Sequence, residues 1–296
     1  MLAVVGPTAT GKSDLAVALA QRLGGEVVNA DSMQLYRGMD VGTAKLSADE
    51  QAGVPHHLLD VWPVTRTANV ADYQQLCRGV VDDLLARGRL PVVVGGSGLY
   101  LRAALDAMTF PGTDPALRAA LEAELADIGP VALHVRLAGL DPDAAARMEP
   151  TNGRRVVRAL EVVALTGSMP GAMTRYDAHY ATTYLGLDRP DLAGRVVARV
   201  DRMWEPPSLV DEVRALQVQG LGITAARALG YAQVLRVLAG EITLEQARTL
   251  TVTATRRFVR RQRAWFRRDP RINWLDGARP DLLADALDAL AVPSAP

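Results

Sequence analysis

Eight residues near the N-terminus, Gly6-Pro7-Thr8-Ala9-Thr10-Gly11-Lys12-Ser13, constrain this chain more than any others. They form a complete G-x-x-x-x-G-K-[ST] loop, preceded by the apolar run Leu2 to Val5 and followed by helical periodicity from Lys12 to Leu23. Such a loop is meaningful when a strand delivers the chain to it and a helix carries the chain away. Its glycines let successive backbone N–H groups point inward as an anion nest. The helix N-terminus adds positive dipole, and Lys12 adds a full charge. Ser13 stands where its hydroxyl can reach Mg²⁺ or a phosphate oxygen.

The rest of the N-terminal region alternates in the same way. A second strand is expected over Glu26 to Asn29, a helix over Ala71 to Arg87, and a β-branched strand over Leu90 to Val94, closed by Gly95-Gly96. This alternation predicts an α/β fold, a P-loop NTPase-like parallel sheet flanked by helices. Ligands of such sheets sit beyond the carboxyl ends of the strands, where Gly6 to Ser13, Asp31 and Gly95 to Ser97 all fall. From Thr113 the texture changes to helices punctuated by Pro and Gly, with strands expected at Leu133 to Leu137 and near Tyr180 to Leu187. Residues 113–180 read as a mainly helical inserted lobe, and 1–112 with 181–296 as the core. Further helices are expected over Arg195 to Trp204, Leu209 to Gln219, Ile223 to Ala239, Leu244 to Arg268, and beyond Pro280.

Composition narrows the function classes. Of 33 basic residues only Lys12 and Lys45 are lysines, so both lysines fall in segments that bear on the phosphate site. Zero formal net charge argues against nucleic-acid binding through the whole surface and leaves room for a local patch. The single cysteine, Cys77, cannot form an intrachain disulfide and reads as a buried small residue, which fits a reducing cytoplasm. No apolar run is long enough to cross a bilayer, and Leu2 to Val5 lacks the basic flank of a signal peptide.

Several residues beyond the loop carry chemistry. Asp31, after the second strand, faces the same crevice and reads as a general base, a metal-binding group, or a helix N-cap. Lys45 reads either as a surface charge or as a phosphate ligand. The strand ending at Val94 runs into Gly95-Gly96-Ser97-Gly98 without the carboxylate that holds Mg²⁺ in P-loop NTPases, which points away from ATP hydrolysis. Near the C-terminus, Leu250, Ala254, Phe258 and Trp265 are predicted to anchor one side of a helix whose other side presents Arg256, Arg260, Arg263 and Arg267. So many arginines beside a single acid, Asp269, favour a polyanion such as an RNA backbone. Arg154, Arg155 and Arg158 form a second cluster, with Glu149 and Glu161 nearby. His56 and His57 lack metal-ligand spacing, and Tyr36, Tyr100 and Tyr231 read as packing groups.

The segments G-P-T-A-T-G-K-S at 6–13, A-D-S-M-Q-L-Y-R-G-M-D-V-G-T-A-K at 30–45, P-H-H-L-L-D at 55–60 and V-V-V-G-G-S-G-L-Y at 92–100 occur in an informative order. With R-R-V-V-R-A-L-E-V at 154–162, A-L-G-Y at 228–231 and T-R-R-F-V-R-R-Q-R-A-W-F-R-R at 255–268, the chain resembles the bacterial tRNA dimethylallyltransferases, or tRNA isopentenyltransferases. The resemblance implies a cytoplasmic, monomeric enzyme that takes dimethylallyl diphosphate and Mg²⁺ at the P-loop. Its acceptor would be the exocyclic amine of the adenosine just 3′ of the anticodon, in the anticodon stem-loop of tRNA.

By the same resemblance Asp31 is the base, Ser97 places a hydroxyl near the target adenine, and Arg195 and Arg199 grip the diphosphate. Positions implied to touch tRNA are Asp31, Ser32, Met33, Gln34, Ser97, Arg118, Arg154, Arg155, Val156, Val157 and Arg158, with Arg227, Ala228, Leu229, Gly230, Tyr231 and Ala232. A small-molecule or nucleotide kinase, binding ATP at the same loop, is the alternative enzyme reading. An RNA-binding protein with a regulatory phosphate site is the non-enzymatic one.

Overall fold

The computed structural model describes residues 1–171 and 175–291. Two compact units emerge, Met1–Asp106 with Ala178–Pro296, and Ala107–Asp177. The first is built on a six-stranded sheet of β1 (Leu2–Val5), β2 (Gly25–Asn29), β3 (His56–His57), β4 (Leu90–Gly95), β5 (Thr183–Asp188) and β6 (Ile272–Asp276), in the order β3-β2-β4-β1-β5-β6. Every neighbouring pair is parallel. The central strand explains why both faces must be covered: Ala3 and Val5 point into one apolar cluster and Leu2 and Val4 into the other. Helices α1 (Lys12–Leu23) and α12 (Leu282–Ala291) bury Leu15, Leu19 and Ala286 on the Leu2 face. On the Ala3 face, α2 (Val70–Ala86) contributes Tyr73, Cys77, Val81 and Leu84, and α3 (Gly98–Leu105) contributes Leu101, Ala104 and Leu105. Because all strands run the same way, the ends of β1, β2 and β4 open on one rim.

The second unit consists of α4 (Pro115–Leu140), α5 (Pro142–Ala146) and α6 (Gly153–Thr166) around Leu121, Leu133, Leu137, Val156, Val157 and Leu160. The strand expected at Leu133 to Leu137 is helical, inside α4 and beyond a kink at Gly129-Pro130. Leu133 and Leu137 are one helical turn apart and fully buried, whereas Val135 between them is 67% exposed, so the alternation that suggested a strand is a coincidence of a helical stripe. The division falls at 106/107 and 177/178 rather than at 113 and 180. The reason is local: Asp106 forms an antiparallel bridge with Ala178, and its buried carboxylate takes Arg102 Nε at 2.7 Å and Arg271 Nη1 at 2.7 Å.

One further expectation needs adjustment, and two strands were not foreseen. The helix expected over Ile223 to Ala239 is two, α9 (Ile223–Ala226) and α10 (Tyr231–Leu238), broken at Gly230 with its φ of 87°. Strand β3 is too short for a sequence signal. Strand β6 alternates too weakly, with Asn273 and Trp274 both exposed.

At the start of β2, the buried Glu26 receives His57 Nε2 at 2.7 Å, Arg87 Nη1 at 3.2 Å and Arg89 Nε at 3.3 Å. The His57 bond, aided by both guanidinium groups and opposed by burial, holds this carboxyl down to about 2 from 4.5. A depressed folded-state value stabilises the fold above the unfolded value and loses that contribution as pH falls through the folded one. Glu26→Gln should therefore lower stability at pH 7 by about 2 kcal/mol and flatten the loss of stability between about pH 4.5 and 2, as read by urea unfolding across that range.

Candidate active site

The P-loop is held by contacts that only its own residues permit. Gly6 has φ 135°, and a Cβ there would lie 2.3 Å from the Leu187 carbonyl oxygen. Gly11 and Ala9 are left-handed, with φ of 93° and 67°, which turns the chain back toward α1. Thr10 Oγ1 donates to Pro7 O at 3.0 Å, and Lys12 Nζ donates to the same carbonyl. Lys12 is buried. Burial lowers its pKa from 10.5 to about 7, with Asp31 opposing that shift and Arg199 reinforcing it.

Two arginines one turn apart on α7 (Leu192–Met203) close the loop side, while Leu192, Val196, Val200 and Met203 bury the opposite face of that helix. Arg195 Nε donates to Ala9 O at 2.8 Å, and Arg199 Nη2 donates to Thr43 O at 2.9 Å. Burial lowers the Arg199 pKa from its ordinary value, with Asp31 opposing. Lys12, Ser13, Asp31, Arg195 and Arg199 thus face one cavity of about 650 Å³.

Across this cavity lies the Asp31 side. Asp31 Oδ1 accepts the Met33 N–H at 2.9 Å, an Asx turn that fixes the carboxylate without burying it. Asn29, 3% exposed, frames the backbone of Asp31 from both sides: its Oδ1 accepts Asp31 N–H at 2.9 Å and its Nδ2 donates to Asp31 O at 3.0 Å. Ser97, which opens α3, lies against Ser32: its Oγ accepts Ser32 N–H at 3.3 Å and stands 3.4 Å from Ser32 Oγ. Gln34 Nε2 donates to Thr43 O at 3.3 Å. The three segments expected to converge on one crevice do so.

Lys45 is not a free phosphate ligand. Its side chain is 6% exposed, and its ammonium is held by Tyr36 O at 3.0 Å, Asp40 Oδ1 at 2.5 Å and Asp60 Oδ1 at 2.6 Å, a clasp that fixes the wall of the cavity. The same wall is fixed by Glu212 of α8 (Leu209–Gln219), which accepts the N–H groups of Asp40 at 2.9 Å, Val41 at 2.7 Å and Gly42 at 3.3 Å. Sequence reasoning missed both Asn29 and Glu212, because the cavity-wall groups they hold are backbone groups that no side-chain pattern reveals.

The positions expected to meet RNA divide sharply. Tyr231 is fully buried with its hydroxyl donating to Glu212, and Ala228 is 7% exposed, so their side chains serve packing. Gly230 is the turn between two helices; Arg227 is exposed, and Leu229 and Ala232 are partly so. Val156 and Val157, 0% and 2% exposed, are core residues of the second unit and present no side chain to RNA. There, Arg118 and Arg158 both bind the fully buried Glu161, which also accepts Asp114 N–H at 3.1 Å; Arg154 and Arg155 are exposed.

Helix α11 (Leu244–Phe266) is rotated relative to expectation. It buries Ala247, Thr251, Thr255, Val259, Gln262 and Phe266, while Leu250 is 39% exposed and Phe258 and Trp265 are half-buried flanks. Large apolar residues suggested the wrong phase because small residues and a glutamine line the packed side. Arg256 and Arg260 are exposed with no ion-pair partner among the described residues. Arg263 instead turns back to Asp188, with Nη2 2.6 Å from Oδ1, and Arg267 Nη2 lies 3.5 Å from the other carboxylate oxygen.

A family model described as IPP transferase matches residues 34–269. The chain belongs to the IPP transferase family. Its relatives include proteins named tRNA dimethylallyltransferase from Thermobifida fusca, 63% identical over 96% of this chain and 92% of the relative, and from Streptomyces coelicolor, 63% identical over 95% and 91%. Among solved structures, the full-length tRNA isopentenylpyrophosphate transferase of Bacillus halodurans is 40% identical, covers 98% of this chain and 95% of its own, and superposes with a TM-score of 0.73. A eukaryotic dimethylallyltransferase acting on tRNA reaches a TM-score of 0.81 at 25% identity, covering 97% and 77%. In this member of the IPP transferase family, then, the parallel sheet, P-loop and facing Asp31 belong to an enzyme architecture.

The buried ammonium generates a test. An anion beside Lys12 favours its charged form, so binding inorganic diphosphate above about pH 7 must take up a proton at this side chain. Affinity, measured by calorimetry, should fall by up to about tenfold per pH unit as pH rises above that value. Lys12→Arg, which cannot titrate there, should lose this slope.

Proposed function

We propose that this chain transfers a dimethylallyl group from dimethylallyl diphosphate to the exocyclic amine of the adenosine 3′-adjacent to the anticodon of tRNA, releasing diphosphate. The observation that carries the reading is the opposition, in one cavity, of an anion nest with a desolvated Lys12 and an exposed-edge carboxylate, Asp31, linked through Ser32 to Ser97. Relatives over nearly the whole chain bear the name tRNA dimethylallyltransferase, which supports the same reaction.

In the transfer, a bond forms between the amine nitrogen and the first carbon of the prenyl group as the carbon–oxygen bond to diphosphate breaks. The electron pair leaves on the diphosphate oxygen, where Lys12, the loop amides, Arg195 and Arg199 stabilise the growing charge. An adenine amine is a weak nucleophile because its lone pair is delocalised into the ring, and Asp31 accepts the proton it sheds. Ser97 supplies a hydroxyl that orients the base. The target base must leave its stack to reach this cavity, as an unpaired anticodon-loop nucleotide can.

Mg²⁺ fits the P-loop end of the cavity. Among the described residues no cluster of three or more His, Cys, Asp or Glu side chains stands ready to hold a metal, but Mg²⁺ commonly binds through one or two protein oxygens, waters and the substrate's own phosphates. Ser13, at the first turn of α1, is the residue that would hold it, and the ion would neutralise charge on the leaving diphosphate.

Exposed arginines of α11 supply the RNA-facing charge. Phosphate contacts position a substrate without reading its bases. Arg256→Ala/Arg260→Ala should therefore flatten the dependence of log affinity for an anticodon stem-loop on log salt by about one to two units, equally for cognate and non-cognate loops, with donor affinity unchanged.

The decisive assay incubates the protein with dimethylallyl diphosphate, Mg²⁺ and unmodified tRNA and weighs the resulting nucleosides; phosphoryl transfer in a parallel incubation with ATP, without a prenylated adenosine in the first, would favour a kinase instead. Asp31→Ala should lower transfer by roughly two to four orders of magnitude with stem-loop affinity nearly intact. Near wild-type turnover at saturating substrates would reduce Asp31 to a turn residue.

A further inference from the structure

Gln262 lies within an arginine-rich stretch, Arg260-Arg261-Gln262-Arg263, yet it is 5% exposed and both ends of its amide are used across the fold. Oε1 accepts the N–H of Thr8 at 3.0 Å, and Nε2 donates to the carbonyl of Gly96 at 2.9 Å. Thr8 belongs to the anion-binding loop, and Gly96 to the loop that carries Ser97. Among the described residues no other side chain hydrogen-bonds both loops. The fit is close: a Cβ on Gly96 would lie 2.4 Å from Gln262 Nε2. A primary amide is suited to this place because it offers a donor and an acceptor on one rigid plane, whereas a carboxylate, ammonium or guanidinium offers only one kind.

We propose that Gln262 is a positioning residue that sets the spacing between donor and acceptor, tying the P-loop and the Gly95-Gly96-Ser97 loop to each other and to the helix whose Arg256 and Arg260 face RNA. The inference rests on the transfer reading given above. Transfer needs the amine nitrogen and the prenyl carbon held at about 3–3.5 Å and in line, and about 1 Å of slack can cost on the order of a hundredfold in rate. With the amide removed, each loop keeps its own ligand but the two lose their common reference.

The experiment compares wild type with Gln262→Met, which keeps the length and removes both bonds. Steady-state kcat and KM for transfer from dimethylallyl diphosphate to an anticodon stem-loop, stem-loop affinity, and exchange of the Thr8 amide hydrogen are measured on each. Expected are a fall in kcat of about ten- to a hundredfold, stem-loop affinity within about twofold of wild type, and Thr8 exchange at least about tenfold faster. Turnover of the folded variant within threefold of wild type would overturn the proposal. So would an unchanged kcat with a raised KM for RNA, which would make Gln262 an RNA contact.

Should Gln262→Met fail to fold, Gly96→Ala, Gln262→Ala and their double variant form a cycle. The two single changes should each slow transfer, and the double variant should be no slower than the worse of them. Additive losses would refute the coupling. Wild type that prenylates nothing would sink the assigned reaction, and unaltered Thr8 exchange in the variant would sink the tether independently of it.

Discussion

An ammonium kept out of water beside an arginine is the constraint around which the core unit is arranged. Burial pushes the Lys12 pKa from 10.5 down to about 7, on the order of 5 kcal/mol against its charged form. Because the folded-state value is the lower one, the cost is full below about pH 7 and fades between there and the unfolded value. No stability argument favours such a group. An anion brought beside the ammonium offsets that cost, so the site gains affinity for anionic ligands from the burial of Lys12. Asp31 is near enough to oppose the shift yet is kept at the cavity edge by its bond to Met33 N–H. It moderates the cation without quenching it.

Much of this was legible in the sequence because the decisive groups are local. The eight P-loop residues specify their own backbone path, and Asp31 and Gly95-Gly96 follow strands whose β-branched runs announce themselves. The positioning groups were not legible. Asn29, Glu212 and Gln262 act on backbone N–H and C=O groups that every residue carries, so nothing in the pattern of side chains marks them. Helix α11 shows the related error in phase. Its largest apolar residues are flanking, and its packed stripe of Ala247, Thr251, Thr255, Val259 and Gln262 is nearly invisible to a hydrophobicity count.

Charge follows the same logic. A chain with equal numbers of acids and bases can still present a basic face if most of its arginines are paired internally. Arg263 on Asp188, Arg271 on Asp106 and Asp269, and Arg118 and Arg158 on Glu161 are examples. The exposed arginines without an ion-pair partner among the described residues include Arg256 and Arg260 in the core unit and Arg154 and Arg155 in the inserted one. A guanidinium buried against a carboxylate organises the fold, and an exposed one without an acid neighbour is available for phosphate.

Strand order turns these parts into a reaction geometry. The P-loop follows β1 and Asp31 follows β2, and between them in the sheet lies β4. Neighbouring strands are about 4.8 Å apart, so the loop and the carboxylate begin about two spacings, or roughly 10 Å, from each other. That span leaves room for the donor and acceptor of the proposed transfer to lie in line. Between the two lies the end of β4. Gly95 and Gly96 stand there. A Cβ on Gly95 would meet the Ala30 carbonyl at 2.4 Å, and one on Gly96 would meet the Gln262 amide. The two glycines that stand where a P-loop NTPase has its strand-end carboxylate thus have a physical reason of their own: they let neighbouring loops close to hydrogen-bonding distance.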